Sequence, residues 1–120
     1  MPDEVSAVTK TYDFALWLLP HVGKFERQHR FTLGARMEDS ILDILELLTE
    51  ASYTRDKRDL LRRANLRLER LRYLIRLAKD LHLFSMKQYE FAVNAMSAIG
   101  NEIGGWARQQ MRREAAHDTP

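Results

Sequence analysis

The stretch Lys57 to Leu83, KRDLLRRANLRLERLRYLIRLAKDLHL, decides the fold. At about 100° per residue, Leu61, Ala64, Leu68, Leu71, Ile75 and Ala78 fall on one side, the recurrence of a buried helical stripe. Arg58, Arg62, Asn65, Glu69, Arg72, Arg76 and Lys79 recur at steps of four and three and share one polar face, a rod roughly 30 Å long at ~1.5 Å rise per residue. Between Lys57 and Lys79 nine bases face two acids. Arg63, Arg67 and Arg70 add to the positive charge on a further side. That same side, continued, carries Leu66, Tyr73, Leu77 and Leu81 with Leu74 alongside, more apolar surface than one core requires, which points to a subunit contact.

Working outward, Thr32 to about Ser52 reads as an amphipathic helix with Leu33, Met37, Ile41, Ile44, Leu45 and Leu48 inward. Its back is acidic: Asp39, Asp43, Glu46 and Glu50 stand almost opposite the core face. Thr32 is placed as its cap, Gln28 to Phe31 as the preceding turn, and Ser52, Thr54 and Asp56 as caps for the arginine-rich helix. Thr9 or Thr11 can cap a first helix running to about Arg27. It has two apolar sides: Tyr12, Ala15, Leu16, Leu19 and Gly23 on one, Phe14, Leu18, His21 and Phe25 with Trp17 on the other. Pro20 has no N–H and crowds the carbonyl of Leu16, so a kink is expected there. Ser85 and Gln88 have capping-box spacing, with Phe84 and Tyr89 as the accompanying staple, so a last helix begins at about Met86 and runs to about Arg113. Gly100, Gly104 and Gly105 inside it each cost about 1 kcal/mol of helix propensity. The expected compensation is close approach of a neighbouring helix.

Four amphipathic helices with short connections predict an all-α, antiparallel up-down-up-down four-helix bundle over residues 9–113, with a polar tail at 1–8 and a disordered one at 114–120. At 120 residues there is room for one core. Charged residues interrupt every leucine-rich segment, no secretory signal opens the chain, and there is no cysteine. A cytoplasmic protein without membrane span, disulfide or thiolate site is expected.

Enzyme chemistry finds no constellation. A di-metal bundle needs a Glu-x-x-His on each of two helices, and one copy occurs here, Glu26 to His29 at a helix end. His21, His29, His82 and His117 neighbour no serine nucleophile in a recognisable motif. Acids on a convex, solvated face have nothing to raise a pKa. Neither catalytic residue, metal nor cofactor is therefore assigned. The arginine face is different. A charged back is commonly only a solvated surface, but like charges four apart repel, and Arg predominates over Lys, as suits bidentate contact with phosphate or carboxylate. Arg58, Arg62, Arg63, Arg67, Arg70, Arg72, Arg76 and Lys79 are the candidate contacts for nucleic acid or an acidic protein.

Charge complementarity suggests that the acidic helix of one subunit (Asp39, Asp43, Glu46) lies near the basic helix of its neighbour. Phe14, Leu18, Phe25, Leu66, Tyr73, Leu77 and Leu81 would form the apolar part of that contact, and a head-to-tail arrangement closes into a ring.

Tyr12-Asp13-Phe14 through Leu18-Leu19-Pro20, Arg30-Phe31-Thr32-Leu33-Gly34, Ala64-Asn65-Leu66-Arg67-Leu68 through Leu77-Ala78-Lys79-Asp80-Leu81, and Gly104-Gly105-Trp106 resemble, in order and spacing, the accessory variability determinant of diversity-generating retroelements. That family groups with the four-helix-bundle proteins encoded in ribosomal RNA intervening sequences. The resemblance implies a non-enzymatic homopentameric ring that binds the retroelement's reverse transcriptase and RNA or cDNA, supporting mutagenic cDNA synthesis and its transfer into a variable gene. A plain interaction scaffold gripping an acidic protein is the rival reading of the same arginines.

Overall fold

A computed structural model of the chain describes residues 2–118, with side chains from 6 to 116. Four long helices dominate: α1 (Pro2–Gly23), α2 (Ala35–Ser52), α3 (Arg58–Asp80) and α4 (Met86–Asp118). Each packs on its two sequence neighbours and α1 closes the cycle against α4. With connections as short as residues 53–57 and 81–85, consecutive helices run antiparallel, and the result is a four-helix bundle. It is a rod, 59 × 23 × 19 Å, with a radius of gyration of 15.7 Å. A sphere-like domain of this length would have about 13.6 Å. A thin rod has a narrow core and much surface, so apolar residues remain outside it.

The α3 stripe is the centre of that core: Ala64, Leu68, Leu71, Ile75 and Ala78 are wholly buried, and Leu61 nearly so. Each large aliphatic side chain among them contributes about 1.5–3 kcal/mol by leaving water. α4 starts where its capping box requires. The Ser85 amide donates to Gln88 Oε1 at 2.8 Å and the Gln88 amide to Ser85 Oγ at 3.1 Å.

Both ends of the bundle are longer than the sequence reading has them. α1 begins at Pro2, placing Thr9 and Thr11 inside the helix instead of at its start. The added turn is held by packing: Ala7 is fully buried, Thr11 Oγ1 donates to Ala7 O at 2.8 Å, and Lys10 Nζ reaches Glu102 on α4 at 2.9 Å. The hydrogen bond from Lys10 lowers the Glu102 pKa. α4 continues to Asp118, with Glu114 held by Arg58 Nε at 3.1 Å. The rest of the two expected tails, Met1 and residues 119–120, lies outside the described residues. α1 runs through Pro20 as one element.

The α1–α2 connection also departs from expectation. Arg27–His29 already forms a helical turn, and a π-helical segment, Arg30–Gly34, feeds directly into α2. Thr32 is therefore no cap; its hydroxyl bonds back to Gln28 O at 3.1 Å. Gly34 explains the close passage: a Cβ there would stand 2.9 Å from Val22 Cγ1 and 3.4 Å from His29 O. Of the α4 glycines, Gly100 meets the neighbouring helix, its Cβ position lying 3.0 Å from Arg72 Nη2 and 3.5 Å from Leu68 Cδ2. Gly104 and Gly105 do not; the nearest atoms belong to Arg108 of the same helix. α3 ends on His82 at φ 62°, with the Leu83 amide donating to Ala78 O and the His82 amide to Lys79 O, a Schellman closure whose left-handed residue is normally glycine.

Two stability outcomes follow. Gly34→Ala gains helix propensity but must displace the fully buried, β-branched Val22, a net loss of about 1–2 kcal/mol. Urea unfolding reads it, and an unchanged midpoint would remove the close-passage explanation. His82→Gly relieves the left-handed backbone and stabilises by about 0.5–1 kcal/mol, a rise of a few degrees in Tm. A lower Tm would show that the His82 side chain makes a compensating contact.

Candidate nucleic-acid interface

Packed between α2 and α4, α3 has its charges sorted onto two flanks by its own inward stripe. Arg63, Arg67 and Arg70 lie on the α2 flank, Arg58, Arg62, Arg72, Arg76 and Lys79 on the α4 flank. Between the flanks, pointing straight out, runs an apolar ridge of Leu66, Tyr73 and Leu77, which are 55%, 70% and 48% exposed. Leu81 continues the exposed apolar surface toward the helix end.

Most of the α3 cations have an acid nearby. Arg58 Nη2 lies 2.9 Å from Asp56 Oδ2, and its side-chain and backbone hydrogen bonds lower the Asp56 pKa. Arg62 pairs with Asp59 at 2.9 Å and Arg63 with the same carboxylate at 3.7 Å. Arg72 bonds Glu69 at 3.1 Å and folds over Gly100, its Nη2 donating to Met96 O at 3.4 Å. Lys79 lies 3.1 Å from Asp80 and its ammonium sits 4.9 Å from the centre of the Tyr89 ring. Arg72 and Lys79 therefore help to hold α3 against α4. Among the described residues, Arg70 and Arg76 form no ion pair.

The acidic back of α2 is turned toward α3 of the same chain. Arg67 Nε lies 3.8 Å from Asp43 Oδ2, and Asp43, Glu46 and Glu50 share a surface cleft with Arg63 and Arg67. The complementarity read as a contact between subunits is thus met, at Asp43, inside one chain. The reason is topological: α2 and α3 are antiparallel neighbours, so the flank of one necessarily borders the flank of the other.

A second correction concerns α1. Phe14, Leu18 and Phe25, expected at a subunit contact, are 2%, 0% and 7% exposed and belong to the core. The opposite stripe is divided: Tyr12 and Leu16 are 54% and 59% exposed, while Ala15 is buried and Leu19 packs partly against the core. The aromatic content of the first stripe decides the orientation. Phe14 stacks on Trp17, Trp17 on His21 at 4.1 Å between centroids, and Phe25 meets Phe84 edge-on at 5.3 Å, closing one end of the bundle. His21 is packed and hydrogen-bonded, Nδ1 lying 2.6 Å from Trp17 O.

Three features escape the helical projection. Lys57, the first base of the arginine-rich stretch, is 7% exposed and folded back, its Nζ donating to Ala51 O at 2.8 Å and to Thr54 O, with the Trp106 ring 5.8 Å away. It satisfies carbonyls at the end of α2, a use of lysine that only the tight connection could have signalled. Arg108 and Arg112 on α4 are exposed and make no ion pair among the described residues; their four-residue spacing, in step with Gly104, was the available signal. Between α3 and α4, Leu61, Ile103, Gly104, Ala107 and Met111 floor a groove of about 430 Å³ with Arg58, Arg62 and Asn65 along its α3 edge.

The surface therefore offers an apolar groove edged by guanidinium groups, suited to anionic polymers or acidic helices. Among the described residues no three His, Cys, Asp or Glu side chains come together as a metal site, and no helix is long and apolar enough to cross a membrane. No curated protein and no solved structure matches the chain. A family model described as bAvd-like does, over residues 6–110. That span reaches into all four helices, and the chain belongs to the bAvd-like family.

Proposed function

We propose that the chain is the accessory protein of a diversity-generating retroelement, a non-catalytic pentameric ring that binds the element's reverse transcriptase together with RNA or cDNA. The observation that carries the nucleic-acid part is the exposed, incompletely neutralised cation set on the α3–α4 face. Arg76 on α3 and Arg108 and Arg112 on α4 have no ion-pair partner among the described residues, and Arg62 shares Asp59 with Arg63. From Arg62 to Arg76 the helix spans about 21 Å. That distance covers several phosphates of a single strand, about 3.4 Å of axis apiece in a duplex. The polymerase and the ring are supported by the resemblance to the accessory variability determinant, since the arginines alone do not specify them. In this reading Arg63, Arg67 and Arg70 serve the α2 flank, and Arg72, Lys79 and much of Arg58 hold the fold.

The scaffold alternative puts an acidic protein on the same face. Salt separates the two, because each neutralised phosphate releases counterions. Fluorescence anisotropy with a labelled single-stranded RNA should give a log-log decline of affinity with salt, with a slope of about 0.7 per phosphate contacted. Arg62→Gln with Arg76→Gln should reduce that slope by about 1.4. Tight binding of polyglutamate with no measurable RNA binding would overturn the nucleic-acid reading in favour of the scaffold.

A further inference from the structure

Besides the α3–α4 groove, two apolar surfaces have no partner among the described residues, and they face different ways. One is the ridge of α3, Leu66, Tyr73 and Leu77. The other lies in the seam between α1 and α2, where Tyr12, Leu16, Leu19, Pro20, Leu42 and Leu45 line a groove of about 380 Å³. Tyr12, Leu16 and Leu42 are 54%, 59% and 40% exposed there. A soluble single chain has no use for two such surfaces.

Their borders are oppositely charged. Arg63 and Arg70 flank the ridge on one side and Arg62 and Arg76 on the other. By helical spacing Asp13 of α1 and Glu38 of α2 stand beside the groove residues and form no ion pair among the described residues, while Glu46, also beside Leu42, shares a cleft with Arg63 and Arg67 of its own chain. Asp43 faces Arg67 and is no longer available. We propose that the α3 ridge of one copy seats in the α1–α2 groove of a second copy. The dimensions agree: Leu66 to Leu77 spans about 16 Å of helix and Tyr12 to Pro20 about 12 Å, so one helix can lie along the groove between two others.

The charges also select the geometry. Ridge against ridge would set arginines against arginines, and groove against groove would set carboxylates against carboxylates, both repulsive. Ridge in groove is the one pairing that brings opposite signs together. Because it uses a different patch on each copy, every added copy leaves one face open until the ring closes. Arg63 and Arg70 then meet the carboxylates of the second copy, while Arg62 and Arg76, on the far side of the ridge, stay at the edge of the contact beside the α3–α4 groove. The inference rests on the oligomeric part of the function proposed above and not on its nucleic-acid part.

Light scattering behind size exclusion tests it on the full chain. Wild type is expected to be a multimer, while Leu16→Glu and Tyr73→Glu, both at exposed positions, are each expected to run as monomers with unchanged circular dichroism. Mixed one to one, they should form a dimer, since one copy retains an intact ridge and the other an intact groove. Leu42→Glu and Leu66→Glu repeat the experiment from a second residue on each face, so misfolding of a single variant does not decide it. If either face's variants keep the wild-type mass, or the mixture stays monomeric, the ridge-in-groove assignment is overturned while the multimer stands. A monomeric wild type overturns the oligomeric reading itself, independently of the RNA titration.

Discussion

The constraint on which the structure depends is the charge density of α3. Eight cations lie on a helix of 23 residues whose leucine stripe must be buried, and like charges three or four apart on a helix repel. The fold relieves this with acids drawn from every direction. Asp59 and Glu69 come from α3 itself, Asp56 and Asp80 from its ends, Asp43 from α2 and Glu114 from α4. Exposed pairs of this kind contribute little singly, about 0–1 kcal/mol. Their joint effect is to make a strongly basic helix tolerable at the bundle surface, with Arg70 and Arg76 outside any ion pair among the described residues.

From that distribution the division of labour on α3 follows. Guanidinium and ammonium groups that turn toward α4 acquire structural work: Arg72 covers Gly100 and Lys79 lies against Tyr89. Lys57, just before the helix, is drawn inward to the open carbonyls at the end of α2. What remains outside is an apolar ridge with an arginine border on each side, one border next to the acidic flank of α2 and the other next to the cations of α4. A single helix thereby presents two kinds of surface, an exposed apolar ridge and flanks of exposed arginines.

Much of this was legible in the sequence because it is local. The stripe of α3, the capping box at Ser85 and Gln88 and the position of every arginine on the helix depend only on spacing within one element. What was not legible depends on neighbour order and on packing. α1 has two apolar sides of similar strength, and only the aromatic cluster of Phe14, Trp17, Phe25 and Phe84 tells which one faces in. The acidic back of α2 was visible, but that it borders α3 of the same chain follows from the antiparallel closure of the bundle. Gly34 fell inside the helix expected from Thr32 with no role assigned to it, and it is the point where Val22 passes. The α1–α2 groove was missed because Leu16 and Leu42 come together only when the two helices do.

In the function proposed above, the α4 flank of α3 meets nucleic acid while the α2 flank does not. Arginine-selective dicarbonyl footprinting, read by mass spectrometry with and without a single-stranded RNA, tests it most directly. RNA is expected to protect Arg62, Arg76 and Arg108 from modification and to leave the reactivity of Arg63 and Arg67 as it is without RNA. Protection of Arg63 and Arg67 with Arg62 and Arg76 still reactive would contradict it.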